Sequence, residues 1–474
     1  MTSKTTYKSR SHTSGRLSIF ASITLLAFLI TACAHTVKPV KAQMDLALPE
    51  TYTLYEEAAP GPDRWWEGLG SGELNELVDQ ALSLNKTLKV SMARLEQSKT
   101  EAVEAGAGKV PDLELKAGVS ETRRNTGDRV AVDRSRSLTL ASSWELDFWG
   151  KISATRKAAL LDMEASREDL YAAAITLSAE VTLRWLEIIA VKRQLALYAE
   201  QLDTNRTILE LIELRYRKGL ANVLDVYQQR QALAEIEAGF PQLEAQLQTL
   251  LHEVAVLCGK PPRSELGLAA DRFPELPAFP GTGVPADLLA KRPDIRAAGL
   301  KLRAAESNIT AARADRLPAV TLSATAGFSS DSLGDLLERW ITSLAANLTW
   351  SIFNADSADA KVTRQEQIVK ERLADYELAV LEALREVEDS MAREVKQESY
   401  IEALGKQLAI SRDGFREAVS RYRKGLSDYL PVLSALTSTQ RLERTIVQAR
   451  LEWFRQRVYL HRALGGGWMA EEFE

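Results

Sequence analysis

Apolar and polar residues alternate with a period of two in four segments of the chain, which predicts β-strands. The predicted strands lie at about 111–121, 136–148, 318–329 and 341–353. Each has one apolar and one polar face, as Leu113, Leu115 and Val119 illustrate in the first segment, and this pattern is typical of membrane strands. Alternation alone also fits two ordinary hairpins on a water-soluble core.

Between the strand pairs the apolar residues recur every seven positions, which indicates long helices packed as coiled coils. Residues 151–218 contain neither proline nor glycine, and Val181, Ile188 and Leu195 begin a run of apolar residues spaced by seven. A helix of this length would be on the order of 100 Å long, which no compact globule needs. Pro241 lies within the return helix and is expected to kink or break it.

The two long helical segments share the hexapeptide Arg-Tyr-Arg-Lys-Gly-Leu, at 215–220 and again at 421–426, an offset of 206 residues. The match extends in the same register, since Trp144 corresponds to Trp350 and Val226 to Val432. The sequence therefore predicts an internal tandem duplication. A basic turn with a glycine cap would explain the composition of one copy, but it would not require the same six residues twice.

The pattern divides the chain into a leader, two copies of one unit, and a connecting segment. The predicted parts are a signal peptide at 1–32, an extended leader at 33–70, the first copy at 71–260, a proline-containing linker at 261–284, the second copy at 285–465 and a tail at 466–474. In each copy short helices precede a strand pair and a long helical hairpin. The hairpin tips are predicted at about 215–226 and 421–432, with Gly219 and Gly425 as left-handed C-caps.

The N-terminus combines basic residues with an apolar run at 17–30, which is too short to span a bilayer and indicates a signal peptide. The run ends in Ile30-Thr-Ala-Cys33, which resembles a bacterial lipobox. That resemblance implies cleavage before Cys33 and acylation of Cys33, including a palmitate-type chain. Ala34 stands where an aspartate would imply inner-membrane retention, so the outer membrane is implied. The alternative is a plain secretory signal with a chance cysteine.

Composition excludes several functional classes. The net charge is −5, from 60 basic and 65 acidic residues, which gives no electrostatic reason to expect nucleic acid. Four histidines and two cysteines leave little material for a metal site, so no metal and no cofactor beyond the covalent lipid are predicted. No phosphate-binding loop or nucleophile elbow is present, and an enzyme is not predicted. Cys258 is expected to be an inert core thiol.

No stretch beyond the leader reaches the apolar length of a membrane helix, so any membrane crossing is expected to use the strands. Lipid satisfies no backbone hydrogen bonds, and four strands cannot close on themselves. Two chains would supply eight strands around a filled interior, whereas three would supply twelve strands with room for water. The sequence therefore predicts an oligomeric, porin-like duct.

The chain resembles the TolC/OprM class of outer-membrane efflux factors, in its lipoprotein (NodT-like) branch. The motifs that carry the resemblance are Arg64-Trp-Trp66, Trp144-Glu-Leu-Asp147, the stretch Lys291-Arg-Pro-Asp-Ile-Arg-Ala-Ala298, and Leu317-Pro318. The resemblance implies a mainly α-helical homotrimer with four transmembrane strands per chain and long antiparallel coiled-coil helices. It also implies a lipid-anchored, passive exit duct for small molecules, which an inner-membrane pump drives through a periplasmic adaptor.

The resemblance further assigns roles to the hairpin tips. Candidate residues that close the periplasmic end are Asp225, Arg421, Tyr422, Arg423 and Asp428. The adaptor is expected to dock on the turns, at Gly219, Leu220, Gly425 and Leu426. The alternative role for Asp225 is to cap the N-terminus of the return helix.

The second tip departs from the family pattern, because Ser434 stands where an aspartate is usual and Pro431 replaces a common acid or threonine. This departure argues against a constricting ring of carboxylates there. The main alternative function is a periplasmic adaptor lipoprotein, which has one helical hairpin flanked by lipoyl-like halves. A filamentous scaffold would explain the seven-residue repeat but not the strand pairs.

Overall fold

The computed structural model describes residues 41–44, 46–53, 64–281, 283–353 and 356–465. The signal peptide, Cys33, the C-terminal tail and the residues Asn354 and Ala355 lie outside the described residues. The chain forms two compact units. One comprises Lys41 and Ala42 with Val103–Ala159 and Arg303–Val369, and the other comprises Gln43–Ala102, Leu160–Leu302 and the chain from Lys370 onward.

The helices and strands of the two copies correspond one to one. The helices are α1 (Gly72–Leu84), α2 (Lys86–Ala107), α3 (Lys151–Arg217), α4 (Val223–Leu257), α5 (Leu288–Lys291), α6 (Pro293–Ala314), α7 (Ser357–Arg423) and α8 (Leu430–Leu464). The strands are β1 (Asp112–Asn125), β2 (Val130–Glu145), β3 (Ala319–Ser330) and β4 (Trp340–Thr349). Helices α3 and α7 both have 67 residues, and α4 and α8 both have 35. The equal lengths confirm the predicted tandem duplication.

The four strands form one antiparallel sheet in the order β1-β2-β3-β4, with β1 and β4 at its edges. The first hairpin is longer than its apolar alternation predicts, because the ladder continues to the pair Asn125 and Val130. Charged side chains support this extension, since Glu121 accepts hydrogen bonds from Arg123 and Arg134 at 2.8 and 3.0 Å. The strand β2 ends earlier than predicted, because Asp147 turns to cap α3 and accepts from the Ile152 and Ser153 amides.

The sheet exposes large apolar side chains in a single protomer. Leu113, Leu115 and Val119 on β1 and Leu344 on β4 are all exposed. Large exposed apolar side chains of this kind indicate a face that contacts lipid or protein. Among the described helices, none has both the length and the apolar composition needed to cross a membrane.

The main hydrophobic core lies in the unit that contains the hairpins, where Trp65 and Trp66 pack with α1 and with the middle of α3. Trp185 donates a hydrogen bond from its indole to Glu73 at 2.6 Å. The other oxygen of Glu73 accepts from the amides of Ala269 and Ala270 in the linker. Cys258 is buried beside this core, and burial raises the pKa of its thiol.

Glu394, which interrupts the apolar repeat of α7, is buried with Arg457 of α8 in a bidentate ion pair. The same guanidinium donates to the carbonyls of Pro277 and Ala278 at 2.6 and 3.0 Å. The charged pair therefore fastens the second half of the linker to the second hairpin. Complete hydrogen bonding offsets part of the cost of burying two charges.

Helix α4 continues through Pro241, so the predicted break does not occur. Close packing on α3 explains this continuity. A β-carbon on Gly239 would lie 2.2 Å from a ring carbon of Tyr198, and the Tyr198 and Phe240 rings meet edge to face at 5.8 Å. The ring therefore occupies space that only glycine leaves free, and this contact supports the helix where proline removes a hydrogen bond.

Candidate functional site

The candidate site is formed by the two hairpin tips, which the shared hexapeptide builds in the same way. Gly219 and Gly425 have φ values of 68° and 72°, in the left-handed region. The Leu220 amide donates to the Arg215 carbonyl at 2.8 Å, and the Leu426 amide donates to the Arg421 carbonyl at 2.9 Å. These bonds close Schellman-type C-caps. They confirm the prediction that both glycines are left-handed C-caps.

Both turns present apolar side chains to solvent. Leu220 is 60% exposed and Leu426 is 65% exposed, beside the exposed glycines. Leu224, Tyr227 and Leu430 extend the apolar surface over the first residues of the return helices. Large apolar residues gathered at the end of a hairpin are suited to contact with another protein. Docking at Gly219, Leu220, Gly425 and Leu426 remains a prediction.

The return helices start differently in the two tips. In the first tip the Asn222 side chain accepts from the Leu224 amide, and the Asp225 carboxylate accepts from the Asn222 amide, each at 3.2 Å. This is a capping box, so Asp225 performs the helix-capping role that the sequence offered as an alternative. In the second tip Tyr429 precedes the helix without a side-chain cap, and Pro431 occupies its first turn.

The charged candidates of the second tip face solvent. Arg421, Arg423 and Asp428 are exposed, and none of them has a salt-bridge partner within the part of the protomer that the structure describes. Ser434 is also exposed, one turn into α8. These residues are therefore free to contact another protein, and their role in closing the tip remains a prediction.

Tyr422 differs from its charged neighbours, because it is only 4% exposed. It lies in a cluster that joins the two hairpins, with its ring 5.7 Å from the Tyr429 ring. Burial raises the pKa of its hydroxyl. The structure therefore places this predicted gate residue at a contact between hairpins of the same protomer.

The residue that sequence reasoning missed is Arg215, in the first copy of the hexapeptide. Its guanidinium carbon lies 4.6 Å from the centre of the Tyr422 ring. It also donates a hydrogen bond to the carbonyl of Arg423 at 3.3 Å. Arg215 therefore links the two tips of one protomer. The available signal was the duplication itself, since Arg215 occupies the position that corresponds to the predicted Arg421.

A buried polar network continues this link away from the tips. The Tyr429 hydroxyl donates to the side-chain oxygen of Gln229, and the Gln229 amide donates to the Asn205 side chain at 3.0 Å. One turn further, Arg444 donates to the side chain of Gln201 at 2.7 Å. Polar contacts therefore connect α3 and α4 with α8 over several turns, and each requires a specific alignment of the hairpins.

Each hairpin is also braced internally by the same ion pair. Arg206 lies 3.5 Å from Glu237 in the first copy, and the corresponding Arg412 lies 2.7 Å from Glu443 in the second. Both pairs join the outgoing helix to the return helix. Exposed pairs of this kind contribute little to stability, so they mark the equivalence of the hairpins more than they strengthen either one.

Comparison with known proteins gives one family over both copies. The family model described as "Outer membrane efflux protein" matches residues 77–260 and 284–466. The chain is similar to the pyoverdine export outer membrane protein OpmQ of Pseudomonas aeruginosa, with 31% identity covering 95% of this chain and 97% of that protein.

Solved structures agree with the sequence comparison. The outer-membrane channel OprN is similar with a TM-score of 0.85 and 27% identity, covering 91% of this chain and 99% of that chain. The outer membrane protein VceC of Vibrio cholerae is similar with a TM-score of 0.80 and 26% identity, covering 86% of this chain and 100% of that chain. The mainly helical fold with a small antiparallel sheet is thereby confirmed.

Proposed function

Because the chain belongs to the outer membrane efflux protein family, we propose that it is the passive exit duct of a tripartite efflux system. An inner-membrane pump supplies the energy, and a periplasmic adaptor joins the pump to this protein. The family consists of outer-membrane channels, whose role is transport and not catalysis. The alternative prediction of a periplasmic adaptor is wrong, since the outer membrane efflux model covers both copies.

The functional form in this proposal is a homotrimer. The single observation that supports it best is the sheet, which has two open edges and exposed apolar side chains in one protomer. Unpaired strand edges cannot remain in lipid, because their backbone groups would lack hydrogen bonds. Pairing β4 of each protomer with β1 of the next closes twelve strands around an interior wide enough for water.

The hairpin tips support the same assembly. Within a protomer Arg215 of the first copy stacks on Tyr422 of the second. The corresponding residues, Arg421 and Tyr216, are both exposed. In a ring of six hairpins the copies alternate, so a head-to-tail contact brings Arg421 of one protomer to Tyr216 of the next. Six equivalent arginine–tyrosine contacts then close the periplasmic end.

Membrane attachment and partner docking complete the proposal. Acyl chains on Cys33 anchor each protomer to the periplasmic leaflet of the outer membrane, with about 0.8 kcal/mol for each buried methylene. The adaptor docks on the exposed leucines of the two tips. The name of OpmQ, a pyoverdine export protein, supports a small molecule as the cargo.

Oligomeric mass and conductance test the proposal together. The mature chain, extracted in detergent, is expected to have the mass of a trimer and to form discrete conducting channels in planar bilayers. A variant with Leu115→Lys and Leu344→Lys on the apolar strand faces should lose insertion, while the tip variant Leu220→Ser should still insert. A monomer that stays soluble without detergent would contradict the proposal.

A further inference from the structure

A cavity of about 530 Å³ lies in the same unit as the sheet, between the start of α3 and the second half of α6. Its polar lining includes Lys41, Lys157 and Arg303, together with Glu306 and the hydroxyl groups of Ser153 and Thr310. Three cationic side chains therefore surround one space that contains a single carboxylate.

The described residues do not balance the charges of this cavity. The Glu306 carboxylate is engaged by the Ala42 amide at 2.5 Å. Lys41, Lys157 and Arg303 are exposed and have no salt-bridge partner among the described residues. The first amides of α3 are already capped by Asp147. Any anion in the cavity would therefore be held by the three side-chain cations and not by the helix terminus.

The position of the cavity indicates which anions are available to bind there. Its lining begins at Gly150, five residues after β2 ends, and Phe148, Trp350 and Phe353 are exposed at the same end of the sheet. Exposed aromatic residues at strand ends mark the boundary between hydrocarbon and headgroups. Lys157 follows six residues into α3, about 9 Å along its axis. Long cationic side chains reach back toward such a boundary.

The leader adds a second connection to the membrane. Lys41 follows the predicted acylated Cys33 by eight residues. Eight extended residues span at most about 29 Å, so Lys41 lies within that distance of the predicted acyl anchor. The bond from the Ala42 amide to Glu306 holds the leader against α6. The acyl anchor therefore keeps Lys41, and the cavity that it lines, close to the membrane.

We propose that this cavity binds the phosphate of an anionic phospholipid headgroup in the periplasmic leaflet, through Lys41, Lys157 and Arg303. The inference rests on the proposed function, because it requires the sheet to lie in the membrane. Three cations without salt-bridge partners among the described residues prefer an anionic headgroup over a zwitterionic one, since basic residues near an anionic surface each add a several-fold preference. The site thereby fixes the height of each protomer relative to the bilayer.

Native mass spectrometry of the delipidated, detergent-purified protein tests the proposal. Phosphatidylglycerol and phosphatidylcholine are titrated separately, and inorganic phosphate is added as a competitor. The wild type is expected to prefer phosphatidylglycerol, and Lys157→Gln with Arg303→Gln should weaken that preference about tenfold. The matched control, Lys396→Gln with Lys406→Gln, removes the same charge from exposed positions of α7 and should retain the preference.

Three results would overturn the proposal. They are an equal affinity of the wild type for both lipids, an unchanged preference in the cavity variant, and an equal loss of preference in the control. Full displacement of the lipid by inorganic phosphate would instead assign the site to the free ion. Channel formation is measured on the same preparations. Conducting trimers without a lipid preference reject only this site, whereas a failure to form channels rejects the proposed function itself.

Discussion

The two hairpins have helices of equal length and identical hexapeptides, yet the same residues lie in different environments. Tyr216 of the first copy is 47% exposed, whereas Tyr422 of the second is 4% exposed. Arg215 stacks on Tyr422, whereas Arg421 is exposed. In the proposed ring two kinds of arginine–tyrosine contact alternate, and a single protomer contains only one of them. In the proposed trimer, the exposed Arg421 and Tyr216 therefore lie on the surface that the next protomer covers.

A second difference lies deeper in the hairpins. Glu394 and Arg457 of the second copy form a buried ion pair, while the corresponding residues of the first copy are Ile188 and Leu251 in the hydrophobic core. The arginine also holds the linker carbonyls. Duplicated positions thus diverge where Arg457 holds the second half of the linker, whereas the hexapeptide is identical in both tips.

The largest effect is expected from breaking this ion pair. Arg457→Leu leaves the Glu394 carboxylate buried without its partner and should lower stability by about 3–5 kcal/mol. The double variant Glu394→Ile with Arg457→Leu copies the pair of the first hairpin and should recover a large part of that loss. Thermal unfolding in detergent measures both. A double variant no more stable than the single one would contradict the claim that the unpaired Glu394 carboxylate causes the loss.

Removing the Tyr429 hydroxyl should have the next largest effect. Tyr429→Phe leaves the buried Gln229 oxygen without its donor, at a cost of about 1–3 kcal/mol. The corresponding residue of the first copy, Val223, is exposed, so Val223→Ala serves as the control and should change stability little. Equal unfolding temperatures for the wild type and Tyr429→Phe would contradict a structural role for the polar network.

A moderate effect is expected at the arginine–tyrosine contact. Arg215→Ala removes a cation–π contact worth about 0.5–2 kcal/mol, which should raise the open probability several-fold in planar bilayers. If the contacts around the ring are equivalent, Arg421→Ala should have a similar effect, and Arg423→Ala should add to it. An effect of Arg215→Ala alone would reject the equivalence.

The smallest effect is expected at Asp225. Asp225→Ala removes one half of a capping box and should lower stability by about 0.3–1 kcal/mol. Because its carboxylate is engaged by the Asn222 amide, capping alone predicts unchanged conductance. An increase in conductance with Asp225→Ala would support the predicted gate role in addition to capping.

Periodicity and duplication predicted most of the fold. The alternation of apolar residues in strands, their seven-residue spacing in helices and the glycines of turns are all local signals. The extension of the first strand hairpin was missed, since charged side chains at Glu121 and Arg134 carry the ladder past the apolar pattern. The continuity of α4 at Pro241 was also missed. It depends on Tyr198, which lies far away in sequence and packs against Gly239.

The candidate site was predicted less completely. The turn glycines follow from sequence because left-handed caps are local. The role of Arg215 does not follow from the sequence, because its partner Tyr422 is 207 residues away. The identical hexapeptides also do not indicate which arginine contacts which tyrosine. Asymmetry between duplicated copies is a property of packing, and only the structure reveals it.

Cysteine cross-linking tests the alternating ring most directly. In a Cys258→Ser background, a short bismaleimide is applied to a Tyr216→Cys, Arg421→Cys variant and to an Arg215→Cys, Tyr422→Cys variant. The alternating ring predicts covalent trimers for the first variant and internally linked monomers for the second. Monomers alone from both variants would contradict the account.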